Sequence, residues 1–225
     1  MTPPRPGTRR AGALIPLFSI PSSRSWGIGE IGDIALMIRW LETAGIKILQ
    51  LLPINEMPPG EMSPYAALSA MAIDPQFITM DDVEDFAAIG GEDALEPALR
   101  ARLDAARVAA HIQYTEVRGL KNTALRRCFA QFRSVDLARG TKRAAAFRAY
   151  VAEQGWWLDD YALFRALHAC HGEHAWSDWP EALRAHDQHA LASARAELGD
   201  EIKGRISHRA RAWAGLAEWA KAGGV

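Results

Sequence analysis

The sequence predicts an α/β fold that opens on a β–α–β unit and runs on into a long helical region. Three observations predict it. Two short, nearly continuous apolar runs flank one amphipathic helix between Ala13 and Leu52. Residues 11–80 mix such runs with Gly, Pro and Ser turns, whereas residues 81–222 are Ala-, Arg- and Glu-rich with helical periodicity. A hydrophobic fraction of 49% over 225 residues is enough to bury one substantial core.

The run Ala13-Leu14-Ile15-Pro16-Leu17-Phe18 reads as a buried strand, with Pro16 marking a bulge or irregular stretch. A loop with Ser22, Ser23, Gly27 and Gly29 follows. Asp33 is placed to N-cap a helix whose apolar stripe is Ile34, Met37, Ile38 and Leu41, and Gly45 ends it. Ile46 to Leu52 forms the second strand, stopped by Pro53. Strand, helix and strand in this order predict a parallel pair with a right-handed crossover. Runs so apolar predict a sheet covered on both faces.

Beyond residue 80 the periodicity predicts helices over 81–89, 93–110, 114–135, 141–153, 159–170 and 189–221. Leu125, Cys128, Phe129 and Phe132 share one helical face. Asp159 and Asp160 fit the start of a helix, where the dipole favours negative charge. A two-stranded parallel sheet alone leaves two open edges and little covered surface. The ending Ala222-Gly223-Gly224-Val225 has the form of a helix stop followed by a new strand. The expectation is a fold interrupted at that strand.

Lys and Arg total 26 and Asp and Glu 27, a formal net charge of -1, which argues against a nucleic-acid partner. The cluster Arg205, His208, Arg209 and Arg211 lies near Glu197, Glu201 and Glu218 and reads as a solvated helix face. Two distant cysteines, Cys128 and Cys170, fit reduced thiols. Met1 to Arg10 is Pro- and Arg-rich, and the apolar run after it is far short of the ~20 residues of a membrane span. The class expected is a soluble cytoplasmic protein with no membrane partner.

Three ordered segments resemble the amylomaltase family of 4-α-glucanotransferases. The first runs from Ala11-Gly12-Ala13-Leu14 to Ser25-Trp26-Gly27-Ile28-Gly29-Glu30-Ile31-Gly32, similar to that family's first strand and Gly-Ile-Gly loop. The second is Gln50-Leu51-Leu52-Pro53 with Ser63-Pro64-Tyr65-Ala66-Ala67-Leu68-Ser69-Ala70 and Asp74-Pro75. The third is Trp157-Leu158-Asp159-Asp160-Tyr161-Ala162-Leu163-Phe164-Arg165-Ala166-Leu167, followed by Trp176-Ser177-Asp178-Trp179-Pro180. Ser-Pro-Tyr alone also occurs across the wider α-amylase clan, so order and spacing over nearly the whole chain carry the resemblance.

The resemblance implies a TIM barrel, (β/α)₈, of which residues 1–80 supply the first two β/α units. Residues 81–222 would be a helical insertion, and 223–225 the start of a third strand, leaving the barrel incomplete in this chain. The implied activity moves α-1,4-glucan segments between maltooligosaccharides through a covalent glycosyl-enzyme intermediate. The carboxylates for that chemistry sit on later strands, so no catalytic residue is assigned here. The family needs no cofactor and no metal. Tyr65 matches the tyrosine that stacks on the sugar beside the scissile bond, and Ser63 the serine of the same turn. Met62 departs from the family pattern, in which Asp commonly precedes the serine.

Each residue also has a plainer reading. Without the resemblance, Tyr65 is a turn tyrosine packed on Pro64. Trp156, Trp157, Trp176 and Trp179 are expected to pack between helices. His168, Cys170, His171 and His174 lack zinc-ligand spacing, with Gly172 interrupting, and read as a polar helix end. Glu30, Asp33, Glu56, Glu61 and Asp74 fall around the predicted mouth of the sheet; Asp33 reads as a cap and Asp74 as a turn former. Two other functions compete: a non-catalytic module keeping a glucan contact or a helical interaction surface, and a hydrolase of the amylase clan.

Overall fold

In the computed structural model, which describes residues 9–199, the two apolar runs form β1 (Gly12–Ile15) and β2 (Ile48–Leu51). They pair in parallel, Gly12 opposite Ile48 and Ile15 opposite Leu51. β1 stops at Pro16, which has no N–H for a ladder, and Leu17–Ser19 turns away as a 3-10 helix. The crossover is α1 (Asp33–Thr43), which buries Ile34 and Leu41 and half-buries Met37 and Ile38. Gly45, at φ 72°, ends it as the sequence predicts. Its N–H reaches the Glu42 carbonyl while that of Ile46 reaches Leu41, the paired bonds of a Schellman stop.

Two expectations fail here. Gly32, not Asp33, holds the N-cap position. The Asp33 carboxylate accepts instead from the Glu30 N–H and the Ser25 hydroxyl, both at 2.7 Å, and so ties the preceding loop. Nor is the sheet covered on both faces among the described residues. Ala13, Ile15, Leu49 and Leu51 turn inward, while Leu14 and Ile48 are exposed on the other face.

The helical region comprises α2 (Glu84–Ala88), α3 (Pro97–Val108), α4 (Tyr114–Phe132), α5 (Lys142–Cys170), α6 (Glu181–Arg184) and α7 (Gln188–Glu197). The first predicted helix is split between a 3-10 turn, Met80–Asp82, and α2. Its predicted fourth and fifth helices are one element of 29 residues. Gly155 inside it costs about 1 kcal/mol relative to Ala, but the burial of Trp157, Leu158 and Tyr161 just beyond offsets that. Asp159 and Asp160 therefore lie mid-helix, not at a start, and Asp160 pairs with Arg195 of α7 at 3.0 Å. The last predicted helix corresponds to α7. Its remainder, the Arg205–Arg211 cluster and the strand predicted at Gly223 lie outside the described residues.

One core joins the two compositional halves. Val117, Leu120, Leu125 and Cys128 of α4 pack with Leu17, Trp26, Ile28, Phe77 and Phe86. The Gly-Ile-Gly loop makes that possible. Gly27 sits at φ +82°, and a Cβ on Gly29 would stand 1.9 Å from the Leu17 carbonyl oxygen, so only glycine fits. Lys121 of α4, fully buried, donates to Glu30 at 2.6 Å and to the Ile78 carbonyl. Burial pushes the Glu30 carboxyl up and the Lys121 ammonium down, and the attraction between them opposes both shifts.

Trp157 and Trp179 pack in smaller clusters on α5, as the sequence suggests. Trp156 and Trp176 do not: they are 72% and 56% exposed.

Candidate functional site

The chain leaves β2 through Leu52-Pro53-Ile54 and enters a loop whose neck is stitched by backbone pairing. Asn55 and Ile73 form an antiparallel bridge. The Glu56 N–H donates to the Ala72 carbonyl, that of Asp74 to Ile54, and that of Leu68 back to Glu56, at 2.7–2.9 Å. The span between these bonds carries Ser63 and Tyr65. Tyr65 stands 74% exposed and lines, with Leu14, Gln50, Leu52, Pro53 and Asn55, an open hollow of about 510 Å³ beyond the end of β2.

The tip is a proline turn. The Ala66 N–H closes onto the Ser63 carbonyl at 3.1 Å, with Pro64 at the second position, where its fixed φ suits a β-turn. Glu61 accepts from the N–H groups of Ser63 and Met62, each at 2.8 Å, and these bonds hold its carboxyl below the ordinary value. Met62, the residue that departs from the resemblance, contributes its backbone N–H here. The carboxylate bracing the turn comes from the residue before it, and the Met62 side chain points to solvent. The Ser63 side chain, like that of Tyr65, is exposed at this tip.

The neck is braced differently, by buried carboxylates. Asp74 accepts from the Gln76 N–H at 3.0 Å, the Asx-turn expected of it. It also accepts from the Met57 N–H at 3.3 Å and from Arg118 of α4 at 2.8 Å. Glu56 accepts from Nε of Arg165 on α5 at 3.1 Å. The other end of that guanidinium reaches Glu173 at 2.9 Å and Nδ1 of His168 at 2.7 Å, and His168 in turn touches Glu173. Burial works against the Arg165 charge, but Glu56 and Glu173 outweigh it and hold its pKa above the ordinary value. For Glu173 burial acts upward, yet the Arg165 hydrogen bond and charge, with His168, keep its carboxyl low.

These contacts revise the sequence reading. His168 does lie in the last turn of α5, a polar helix end, but it is buried there and hydrogen-bonded to Arg165 and Glu173. His171 stacks on Trp179, and Cys170 is exposed. Of the five carboxylates expected around the sheet mouth, only Glu61 reaches the surface beside Tyr65. Glu30, Asp33, Glu56 and Asp74 are buried. Sequence reasoning missed Arg118, Lys121 and Arg165. The signal was present for two of them. Arg165 lies on the apolar stripe of Leu158, Tyr161 and Ala162, and Lys121 on that of Val117, Ala124 and Cys128, spacings that demand a buried partner.

A family model described as 4-alpha-glucanotransferase matches residues 15–222. The 4-alpha-glucanotransferase of Thermus thermophilus is 30% identical over 94% of this chain, and that of Synechocystis 31% over 94%. The chain spans only 38% and 39% of the length of those two relatives. An amylomaltase from Streptococcus agalactiae, solved in complex with acarbose, superposes with a TM-score of 0.77 at 22% identity, covering 96% of this chain and 42% of its own. That likeness assigns the fold, in which the small sheet and the helices sit together. No helix among the described residues is long and apolar enough to cross a membrane. On a match covering nearly its whole length, the chain belongs to the 4-alpha-glucanotransferase family.

Proposed function

We propose that this chain is the N-terminal portion of a 4-α-glucanotransferase that moves α-1,4-glucan segments between maltooligosaccharides. Residues 1–80 are its first two barrel units and 81–222 its helical insertion, while the strand expected at 223–225 lies outside the described residues. The observation that carries the reading is the exposed Tyr65 at the C-terminal end of β2, in a chain matched from residue 15 to 222. Barrel active sites are built from the loops at that end of the strands. A flat aromatic face suits the C–H face of a pyranose, and Ser63 in the same turn offers a hydroxyl to the same sugar.

The chemistry is a retaining double displacement. One carboxylate attacks the anomeric carbon while a second protonates the leaving oxygen. A sugar hydroxyl, deprotonated by that second group, then releases the glycosyl-enzyme. The family resemblance puts those two groups on later barrel strands, and no carboxylate of this chain is assigned to either role. The near-neutral charge, and two cysteines that form no disulfide, support a cytoplasmic protein without a nucleic-acid partner.

The test is product analysis on maltotriose with the chain alone and with a polypeptide carrying the later strands. The chain alone is expected to bind maltoheptaose saturably in the millimolar range and leave maltotriose intact. The pair is expected to yield glucose and longer oligosaccharides. Glucose and maltose alone would make the protein a hydrolase. Binding without any transfer by the pair would leave a non-catalytic glucan module.

A further inference from the structure

We infer that Arg165 and Arg118 are positioning residues for the loop that presents Ser63 and Tyr65, so that the helical region sets the geometry of the glucan contact. This rests on the reading of Tyr65 and Ser63 as sugar contacts.

The tip of the loop has only local support. Its bonds run from the Glu61 N–H to the Pro58 carbonyl, from the Ala66 N–H to the Ser63 carbonyl, and from the Met62 and Ser63 N–H groups to the Glu61 carboxylate. What fixes its direction is the neck, and the neck carries one buried carboxylate on each limb. Asp74, on the returning limb, holds the Met57 N–H of the outgoing limb and the Gln76 N–H of its own, so one side chain spans both. Glu56 stands on the outgoing limb, paired through its backbone to Ala72 and Leu68.

Each carboxylate meets an arginine from a different helix, Asp74 that of α4 and Glu56 that of α5. Arg165 is 3% exposed and anchored at its far end by Glu173. A guanidinium bound at Nε and at Nη1 has its plane fixed, and so fixes the direction from which Glu56 is held. A pair needed only for stability could be replaced by apolar groups of the same volume. Placed at the hinge of an exposed loop, the pair sets an angle that packing alone would leave loose.

The experiment compares Arg165→Met, Arg165→Lys and Arg118→Met in the full chain. Chymotryptic cleavage after Tyr65 is measured well below the melting temperature, beside the melting curve and maltoheptaose affinity. Cleavage after Tyr65 is expected to rise about tenfold in each Met variant, the scale of losing one charge-assisted hydrogen bond. Cleavage after the buried Phe86 should not follow it. Arg165→Lys should restore much of the melting temperature without restoring protection at Tyr65. Affinity for maltoheptaose should fall with protection. If Arg165→Met does not fold, Glu56→Gln, which keeps the shape and an acceptor, takes its place.

Unchanged cleavage after Tyr65 in folded variants overturns the inference. So does faster cleavage with maltoheptaose affinity equal to that of the unmodified chain. Faster cleavage in a protein whose unmodified form shows no saturable maltoheptaose binding leaves the clamp standing and removes the sugar reading instead.

Discussion

Two loops leave the same end of the small sheet, and each sends a glutamate to a basic side chain of the helical region: Glu30 to Lys121, and Glu56 to Arg165. They use the remaining residues in opposite ways. The loop after β1 buries Trp26, Ile28 and Glu30 and closes the main core. The loop after β2 buries its neck and leaves its aromatic tip in solvent. The difference teaches that one kind of anchor serves two ends. In the first loop the ion pair locks a plug into the core; in the second it holds a platform away from it.

The largest effect belongs to the plug. Replacing Lys121 by Met leaves the Glu30 carboxylate buried without its cation, and breaking such a pair costs about 3–5 kcal/mol. Urea unfolding followed by circular dichroism measures it. Adding Glu30→Leu should recover a large part, since an apolar pair suits the same space. A loss below about 1 kcal/mol for Lys121→Met would put the two loops in one class and break the comparison.

Gly29→Ala follows. A Cβ there meets the Leu17 backbone carbonyl, which cannot rotate away as a side chain would, so the loop has to shift. Overpacking of this kind costs about 1–3 kcal/mol, read from the same unfolding curves. Gly60→Ala in the second loop meets no neighbouring atom, and its cost is that of its positive φ alone.

How far these features were readable in advance follows from the physics. Strands, α1 and the amphipathic face of α4 follow from local periodicity, and their positions were legible within a few residues. The break expected between residues 153 and 159 does not occur, because the tertiary burial of Trp157 and Tyr161 carries one helix through Gly155. The site divides in the same way. Tyr65 and Ser63, the proposed sugar contacts, come from a compact motif within one turn. The Glu56–Arg165 contact joins residues 109 positions apart, a pairing that no spacing rule reaches. Even so, a cation inside an apolar stripe says that a partner exists, and only its identity awaited the fold.

A smaller effect should come from pH. The Glu173 carboxyl is held low in the folded chain, because Arg165 and His168 outweigh the upward push of burial. A depressed carboxylate stabilises fully above its unfolded value and loses that contribution as pH falls through the folded one. The stability difference between the unmodified chain and Glu173→Gln should therefore stay level from neutrality to about pH 5 and shrink below about pH 4.5. Urea midpoints at each pH measure it. A difference that grows with acid would mean that Glu173 does not brace Arg165.

The smallest effect on stability is expected where the proposed function is concentrated. Tyr65 is 74% exposed, so truncating it returns little apolar surface to water. Tyr65→Ala should leave the unfolding free energy within about 0.5 kcal/mol. The same change should weaken maltoheptaose binding by about 0.5–1.5 kcal/mol, the range of an aromatic contact beyond its area. Calorimetric titration beside a urea curve separates the two readouts. Loss of stability with unchanged binding would make Tyr65 the turn tyrosine packed on Pro64, and the second loop would then be a plug like the first. Loss of binding alone leaves a tip that adds nothing to the fold and spends its aromatic face on what lies outside it.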